Sequence, residues 1–168
     1  NKSMLAAGNL SVENGAHIVT QQFLDSFLIL SGSGITFGLV IAMLFAAKSK
    51  QYKALGKVAA FPALFNVNEP VVFGFPIVMN PVMFLPFILV PILAAVVVYG
   101  SIAIGFMQPF SGVTLPWSTP AIISGFMVGG WQGAIVQVIV LGISTLVYFP
   151  FFKFQDKLAY ANELEAEK

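Results

Sequence analysis

Between Lys57 and Lys153 the chain carries one charged side chain, Glu69, inside the run Phe65-Asn66-Val67-Asn68-Glu69-Pro70. No water-soluble domain is built that way. Soluble domains carry about 25% charged residues, whereas here 9% are charged, 58% are hydrophobic and the mean hydropathy is +0.89. A stretch of this kind is made for lipid, and its pieces read as helices that bond their own backbone where water is absent. The fold class expected is therefore an all-α membrane protein. A carboxylate in such surroundings costs roughly 2.5–3.5 kcal/mol on insertion scales, so it is kept for a task.

Composition also removes several kinds of chemistry. All 8 basic residues are Lys and none is Arg, which argues against phosphate recognition by guanidinium forks. The formal net charge of +1 gives no reason to expect a nucleic-acid partner. With no Cys there is no disulfide, thiolate metal site or covalent thiol chemistry, and His17 alone cannot build a multi-His site. Gly32-Ser33-Gly34-x-x-x-Gly38 lacks the spacing and the strand context of a dinucleotide loop. Neither a cofactor nor a metal is expected, and His17 reads as a loop residue. The small-xxx-small spacings at Gly34/Gly38, Gly125/Gly129 and Gly129/Gly133 point to close helix packing.

The first residue is Asn1, with no basic-then-apolar leader before the first apolar run, so the chain reads as a piece of a longer protein. Residues 1–22 are polar and rich in breakers, an extracytoplasmic loop or interfacial segment. Residues 23–47 are apolar and long enough, at about 1.5 Å per residue, to form a transmembrane helix. The loop 48–57 holds Lys48, Lys50, Lys53 and Lys57 without an acidic residue, and is cytoplasmic by the positive-inside rule. The tail 153–168 also reads as cytoplasmic, which requires an even number of crossings in between. Transmembrane helices at 82–107 and 133–152 meet that requirement. The proline-rich segments 58–81 and 108–132 then become two re-entrant hairpins that enter the membrane and return, a backbone tolerated where it lines a cavity. Their tips are Asn66-Val67-Asn68-Glu69-Pro70 and Thr114-Leu115-Pro116-Trp117-Ser118-Thr119-Pro120. Paired interruptions of this kind mark transporter binding sites.

Each candidate has a plainer reading beside it. Glu69 could merely cap the helix that Asn68 and Pro70 introduce, although a neutral cap would do that without the desolvation cost. Asn66 and Asn68 suit turns, yet an Asn-x-Asn-Glu cluster on an apolar tip also offers the convergent polar groups a sugar needs. Trp131 reads as an interfacial anchor. Trp117 lies instead in an irregular Pro-Trp-Ser-Thr-Pro stretch, where its indole face could stack on a pyranose ring.

The stretch Asn66-Val-Asn68-Glu69-Pro70-Val-Val-Phe-Gly-Phe-Pro-Ile-Val-Met-Asn-Pro81 resembles the lactose/cellobiose (diacetylchitobiose) family of phosphotransferase-system IIC membrane components. Leu115-Pro-Trp117-Ser-Thr-Pro120, Ser31-Gly32-Ser33-Gly34 and Tyr148-Phe-Pro150-Phe-Phe-Lys153 are similar to the same family, and the likeness runs from about His17 to Asp156. The resemblance implies a homodimeric permease of the bacterial inner membrane, of which this chain matches the C-terminal, sugar-binding half. It implies that Glu69 contacts the sugar near the hydroxyl that becomes phosphorylated and that Trp117 is the matching Trp, while Asn66, Asn68 and Ser118 stand beside them as candidate sugar-binding residues. A His that the family uses lies upstream of the matched residues, and His17 does not match it. The implied partners are a disaccharide, a separate IIB protein bearing a phosphocysteine, and indirectly a IIA component. Two other readings stay open on the residues alone. Glu69 could be the protonation site of a proton-coupled sugar transporter, or the chain could be a non-transporting scaffold held by its glycine seams.

Overall fold

The structure, a computed structural model, describes residues 1–75 and 77–167. It is helical, with no strand among the described residues. After a short α1 (Lys2–Ala6), α2 (Gln21–Phe23) runs into a π-helical turn, Leu24–Leu28. Then come α3 (Phe37–Ala46), α4 (Lys50–Leu64), α5 (Glu69–Gly74), a 3-10 turn at Ile77–Met79, α6 (Pro81–Ala103) and α7 (Ile123–Ala166).

Local chemistry sets the helix starts. Ser49 accepts a hydrogen bond from the Tyr52 backbone N–H and opens α4. Asn80 accepts from the Val82 N–H, with Pro81 in the first helical position, and opens α6. At about 1.5 Å per residue, α6 is about 34 Å long, enough to cross a ~30 Å hydrocarbon layer. One stripe of α6 is buried, Met83, Pro86, Val90, Ala94, Val98 and Ile102, at helical spacing. The opposite side exposes Leu85, Ile88, Ile92 and Val96. Such a face suits lipid and not water.

α7 is the other helix long and apolar enough to cross a bilayer. It is not one rod. Gly129 and Gly130 leave helical geometry, Gly130 with φ 64° and ψ −159°. The piece 123–128 folds back on the piece that starts at 131. A Cβ added at Gly125 would meet the Gly133 carbonyl oxygen, and one at Gly133 would meet that of Gly125. The glycine seam expected here for packing thus lies between two arms of a single hairpin. Gly38 serves the other seam, where α3 meets the backbone of α7 at Ser144 and Thr145.

α4 and α5 form a second hairpin. Gly74 sits against Leu55, and the Tyr52 and Phe75 rings stack at 4.4 Å. The molecule therefore has two ends. At one, Asn1 bonds to His17 and Phe110, and Phe106 meets Trp131 edge-on. At the other lie the start of α4, the start of α6 and the charged end of α7.

The segment 23–47, expected as one transmembrane helix, is corrected to two pieces. Helical geometry covers 21–28 and 37–46, and the bend 29–36 separates them. Ser31, Gly32, Gly34 and Ile35 there all have positive φ (59°, 85°, 79° and 50°), which no helix can continue through. The helix expected over 133–152 also runs on to Ala166, because Lys153 to Glu165 is an amphipathic continuation rather than a free tail.

Candidate functional site

Three interruptions of the helices meet between the two ends of the molecule: the bend 29–36, the α4–α5 tip at 65–68, and the extended stretch before α7. The α4–α5 tip shows how. α4 closes with the Val67 N–H bonding to the Pro62 carbonyl (3.1 Å) and the Asn66 N–H to that of Ala63 (3.3 Å). This double closure needs a left-handed residue just past the helix end, and Asn66 supplies it with φ 63°. Asn tolerates that conformation better than other residues with a side chain.

The Asn66 amide then leaves its own hairpin. Its Oδ1 accepts from the Ser31 N–H (2.6 Å), and its Nδ2 donates to the carbonyls of Trp117 (2.6 Å) and Thr119 (3.0 Å). Asn68 is buried and donates to the Ser33 carbonyl (2.7 Å) and to Thr36 Oγ1 (3.2 Å). Gly32 makes room for it, since a Cβ there would overlap the Asn68 amide.

Glu69 stands in the first turn of α5 and is exposed. Its carboxylate makes no hydrogen bond with any described residue. The plainer cap reading is thereby set aside, since the carboxylate does not bond the backbone of its helix, and the side chain is exposed where the apolar run around it suggested burial. Trp117 is also open, with 70% of its surface exposed, although its carbonyl is fixed by Asn66. Ser118 is half-buried between Trp117 and Thr119. The structure thus brings Asn66, Asn68 and the 117–119 tip together, with Glu69 at the start of the adjoining helix.

A scaffold that the sequence reading did not single out holds these loops. Tyr148 donates from its hydroxyl to the Gly34 carbonyl (2.8 Å), and Ser144 donates to that of Ile35 (2.5 Å) while accepting from the Gly38 N–H (3.2 Å). Gln137 is fully buried. It accepts from the N–H groups of Ile122 (2.6 Å) and Gly125 (3.0 Å), and donates to the Ser26 carbonyl (2.6 Å) and Ser124 Oγ (2.9 Å). The signal was present, because Gln137 is the sole amide side chain between Gln132 and Gln155.

The chain is helical, presents apolar faces that suit lipid, and brings its broken segments together beside an exposed carboxylate and an exposed indole. Comparison with known proteins gives the family. The profile of the family "Phosphotransferase system, EIIC" matches residues 1–91, and the chain belongs to this family. The Lichenan permease IIC component of Bacillus subtilis is 45% identical over 152 residues, covering 88% of this chain and 34% of that protein. The PTS system cellobiose-specific EIIC component of Geobacillus stearothermophilus is 45% identical over 149 residues, covering 88% of this chain and 33% of its own length. Among solved structures, the transporter ChbC, the IIC component of the N,N'-diacetylchitobiose-specific phosphotransferase system, matches with a TM-score of 0.90 at 38% identity, over 97% of this chain and 37% of ChbC. The chain spans about a third of the length of the curated relatives it matches.

Proposed function

We propose that this chain is the sugar-binding part of a phosphotransferase-system IIC permease, and that it holds a β-linked disaccharide of the cellobiose, lactose or diacetylchitobiose class for phosphorylation during uptake. The observation that carries the reading is the exposed Glu69 carboxylate, bonded to no described residue, on a tip whose neighbouring amides are anchored. Names of relatives for cellobiose, lichenan and lactose support the substrate class. Family membership does not favour the proton-coupled alternative.

In this reading the hairpins 58–81 and 108–132 are re-entrant and meet from opposite faces of the bacterial cytoplasmic membrane. The lysine-bearing 48–57 and the end of α7 face the cytoplasm, and residues 1–22 face outward. The sugar lies against Trp117, with Ser118 and the remaining acceptor of Asn68 as hydroxyl partners. Glu69 orients the 6-hydroxyl. A phosphocysteine on the IIB partner gives up its phosphoryl group: the S–P bond breaks, an O–P bond to the sugar forms, and IIB keeps the thiolate. The hydroxyl proton passes to Glu69 and from there to water. Such transfers depend chiefly on positioning and on stabilising charge. IIA recharges IIB, and the permease works as a homodimer. Some relatives are named EIICB components, consistent with a IIB domain working beside the permease.

The test is Glu69→Gln in the full-length protein, which keeps size and hydrogen bonding but removes the base. With phosphorylated IIB and radiolabelled cellobiose in vesicles, sugar binding is retained and phosphorylation falls about 10²–10⁴-fold. Phosphorylation at the wild-type rate would refute the assignment. Uptake that follows a proton gradient whatever the state of IIB would refute the phosphotransferase reading as a whole.

A further inference from the structure

Asn66 and Glu69 are three residues apart on one tip, yet their polar atoms are in opposite situations. A side-chain amide offers two N–H donors and a carbonyl oxygen. Asn66 has both donors and its oxygen engaged, on three backbone groups from two other parts of the chain. A sugar oxygen that accepted from Nδ2 would have to displace the Trp117 or Thr119 carbonyl, which leaves this amide only the second lone pair of an oxygen already held by the Ser31 N–H. Neither oxygen of Glu69 is bonded to a described residue.

The backbone around Asn66 adds a second, independent observation. The non-glycine residues with positive φ among those described are Ser31, Ile35, Asn66 and Ile122. All four lie in the three interruptions that meet here. For β-branched Ile35 and Ile122 (φ 50° and 70°) the conformation is a steric outlier. Strain of this sort persists only where surrounding bonds over-determine it. Ser144 holds the Ile35 carbonyl and Gln137 the Ile122 N–H. Asn66 itself holds the Ser31 N–H, and among the described residues its side chain alone bonds both the bend and the 117–119 tip.

We infer that Asn66 is a positioning residue, a side-chain latch that fixes the Trp117–Thr119 tip and the 31–36 bend against the Asn-Glu-Pro tip, and that it does not touch the sugar. The inference rests on the proposed sugar site for its functional half only. The latch sets where the Trp117 ring lies relative to Glu69, so its loss misplaces the sugar hydroxyl in the transition state. It need not weaken ground-state binding.

Two variants of the full-length protein test it. Asn66→Gly keeps the left-handed backbone and deletes the amide. Asn66→Asp keeps the size and the acceptor for the Ser31 N–H, but turns a carboxylate toward the carbonyls of Trp117 and Thr119, where donors stood. Without sugar, hydrogen–deuterium exchange rises at least about 10-fold in peptides covering 29–36 and 113–122, and stays as in the wild type in α6. With phosphorylated IIB and cellobiose, kcat falls about 10–100-fold, the usual cost of a small misplacement, while KM changes by less than about threefold. Asn66→Asp is at least as impaired as Asn66→Gly. A carboxylate accepts hydrogen bonds from sugar hydroxyls readily, so a direct sugar contact predicts the reverse order, with the loss in KM and exchange unchanged. Either of those results overturns the latch, as does accelerated exchange with unchanged kcat. Exchange that rises throughout α6 also overturns it, because Asn66 is then a general stability determinant. If the wild-type protein does not phosphorylate cellobiose, the proposed function fails, while the exchange measurement still decides the latch.

Discussion

Trp117 and Trp131 are both largely exposed, at 70% and 58%, and their surroundings separate their roles. Trp131 lies at the Gly129–Gly130 turn with its ring edge-on to Phe106 at 6.0 Å, an aromatic cluster at one end of the molecule. Trp117 has its backbone pinned between the two ends and its ring free. A free indole on a fixed backbone is what stacking on a pyranose requires. Trp117→Ala in the full-length protein is expected to weaken cellobiose binding by about 1–3 kcal/mol, the scale of a buried aromatic contact, and Trp117→Phe to keep most of it. Trp131→Ala should cost far less. Calorimetric titration decides, and equal affinities for the two alanine variants would remove the stacking assignment. At this scale much was legible. Glu69 stood out as the one charge in a long apolar run, and the two Asn beside it as polar groups without an evident solvent. What the residues could not tell was direction. Nothing in Asn66-Val67-Asn68-Glu69 says that the two amides turn into protein while the carboxylate stays open, because that depends on where the 29–36 and 117–119 backbones lie.

The elements of this fold are hairpins, and glycine decides how closely their arms approach. Gly125 and Gly133 sit backbone to backbone, so a side chain at either must push the arms of the α7 hairpin apart. Gly142, further along the same helix, has nothing within 4 Å of the position a Cβ would take. Gly133→Val is expected to destabilise by about 1–3 kcal/mol through overpacking. Gly142→Ala should stabilise by about 0.5–1 kcal/mol, since it removes only backbone freedom. Thermal unfolding in detergent compares the two, and similar shifts for both would contradict the close approach. Proline and polar residues marked the two hairpin tips in the sequence. The bend at 29–36 was harder to read, because Ser31-Gly32-Ser33-Gly34 interrupts a run that length and hydropathy alone pass as one helix. The Gly129–Gly130 turn was hidden for a related reason: spaced glycines fit a packing seam between separate helices as well as one within a hairpin. Hydropathy measures whether a segment suits lipid. It is silent on whether the backbone stays helical once tertiary bonds to Ser144, Tyr148 and Gln137 are available.

For the whole molecule, most of the charges fall at one end, in 48–57 and at the end of α7, and they do two things. On the proposed topology Lys48, Lys50, Lys53 and Lys57 orient the chain, so cysteines placed at position 53 should be labelled from the cytoplasmic side and at position 13 from outside. Labelling of position 53 from outside would overturn the proposed topology. The acidic residues at that end do structural work instead. Asp156 is buried and accepts from the N–H of Lys48 (3.1 and 2.8 Å) and of Ser49 (3.0 Å). Glu163 accepts from the N–H of Lys50 (3.0 Å) and Gln51 (3.1 Å). Both carboxylates come from α7 and close the N-terminus of α4, whose unpaired N–H groups and dipole favour negative charge. α4 is also the arm that carries the Asn-Glu-Pro tip at its far end. Asp156→Ala leaves buried donors without partners and should cost about 1–3 kcal/mol of stability, with accelerated hydrogen exchange at the start of α4. The Lys50–Glu167 pair offers the control. Their hydrogen bond raises the lysine pKa and lowers that of the carboxylate, yet both side chains are exposed and solvent screens them. Glu167→Ala should therefore leave the unfolding temperature unchanged. Asp156→Ala behaving like Glu167→Ala would mean that α7 does not anchor the arm bearing the tip, and that the tip is held in place by the loops around Asn66 alone.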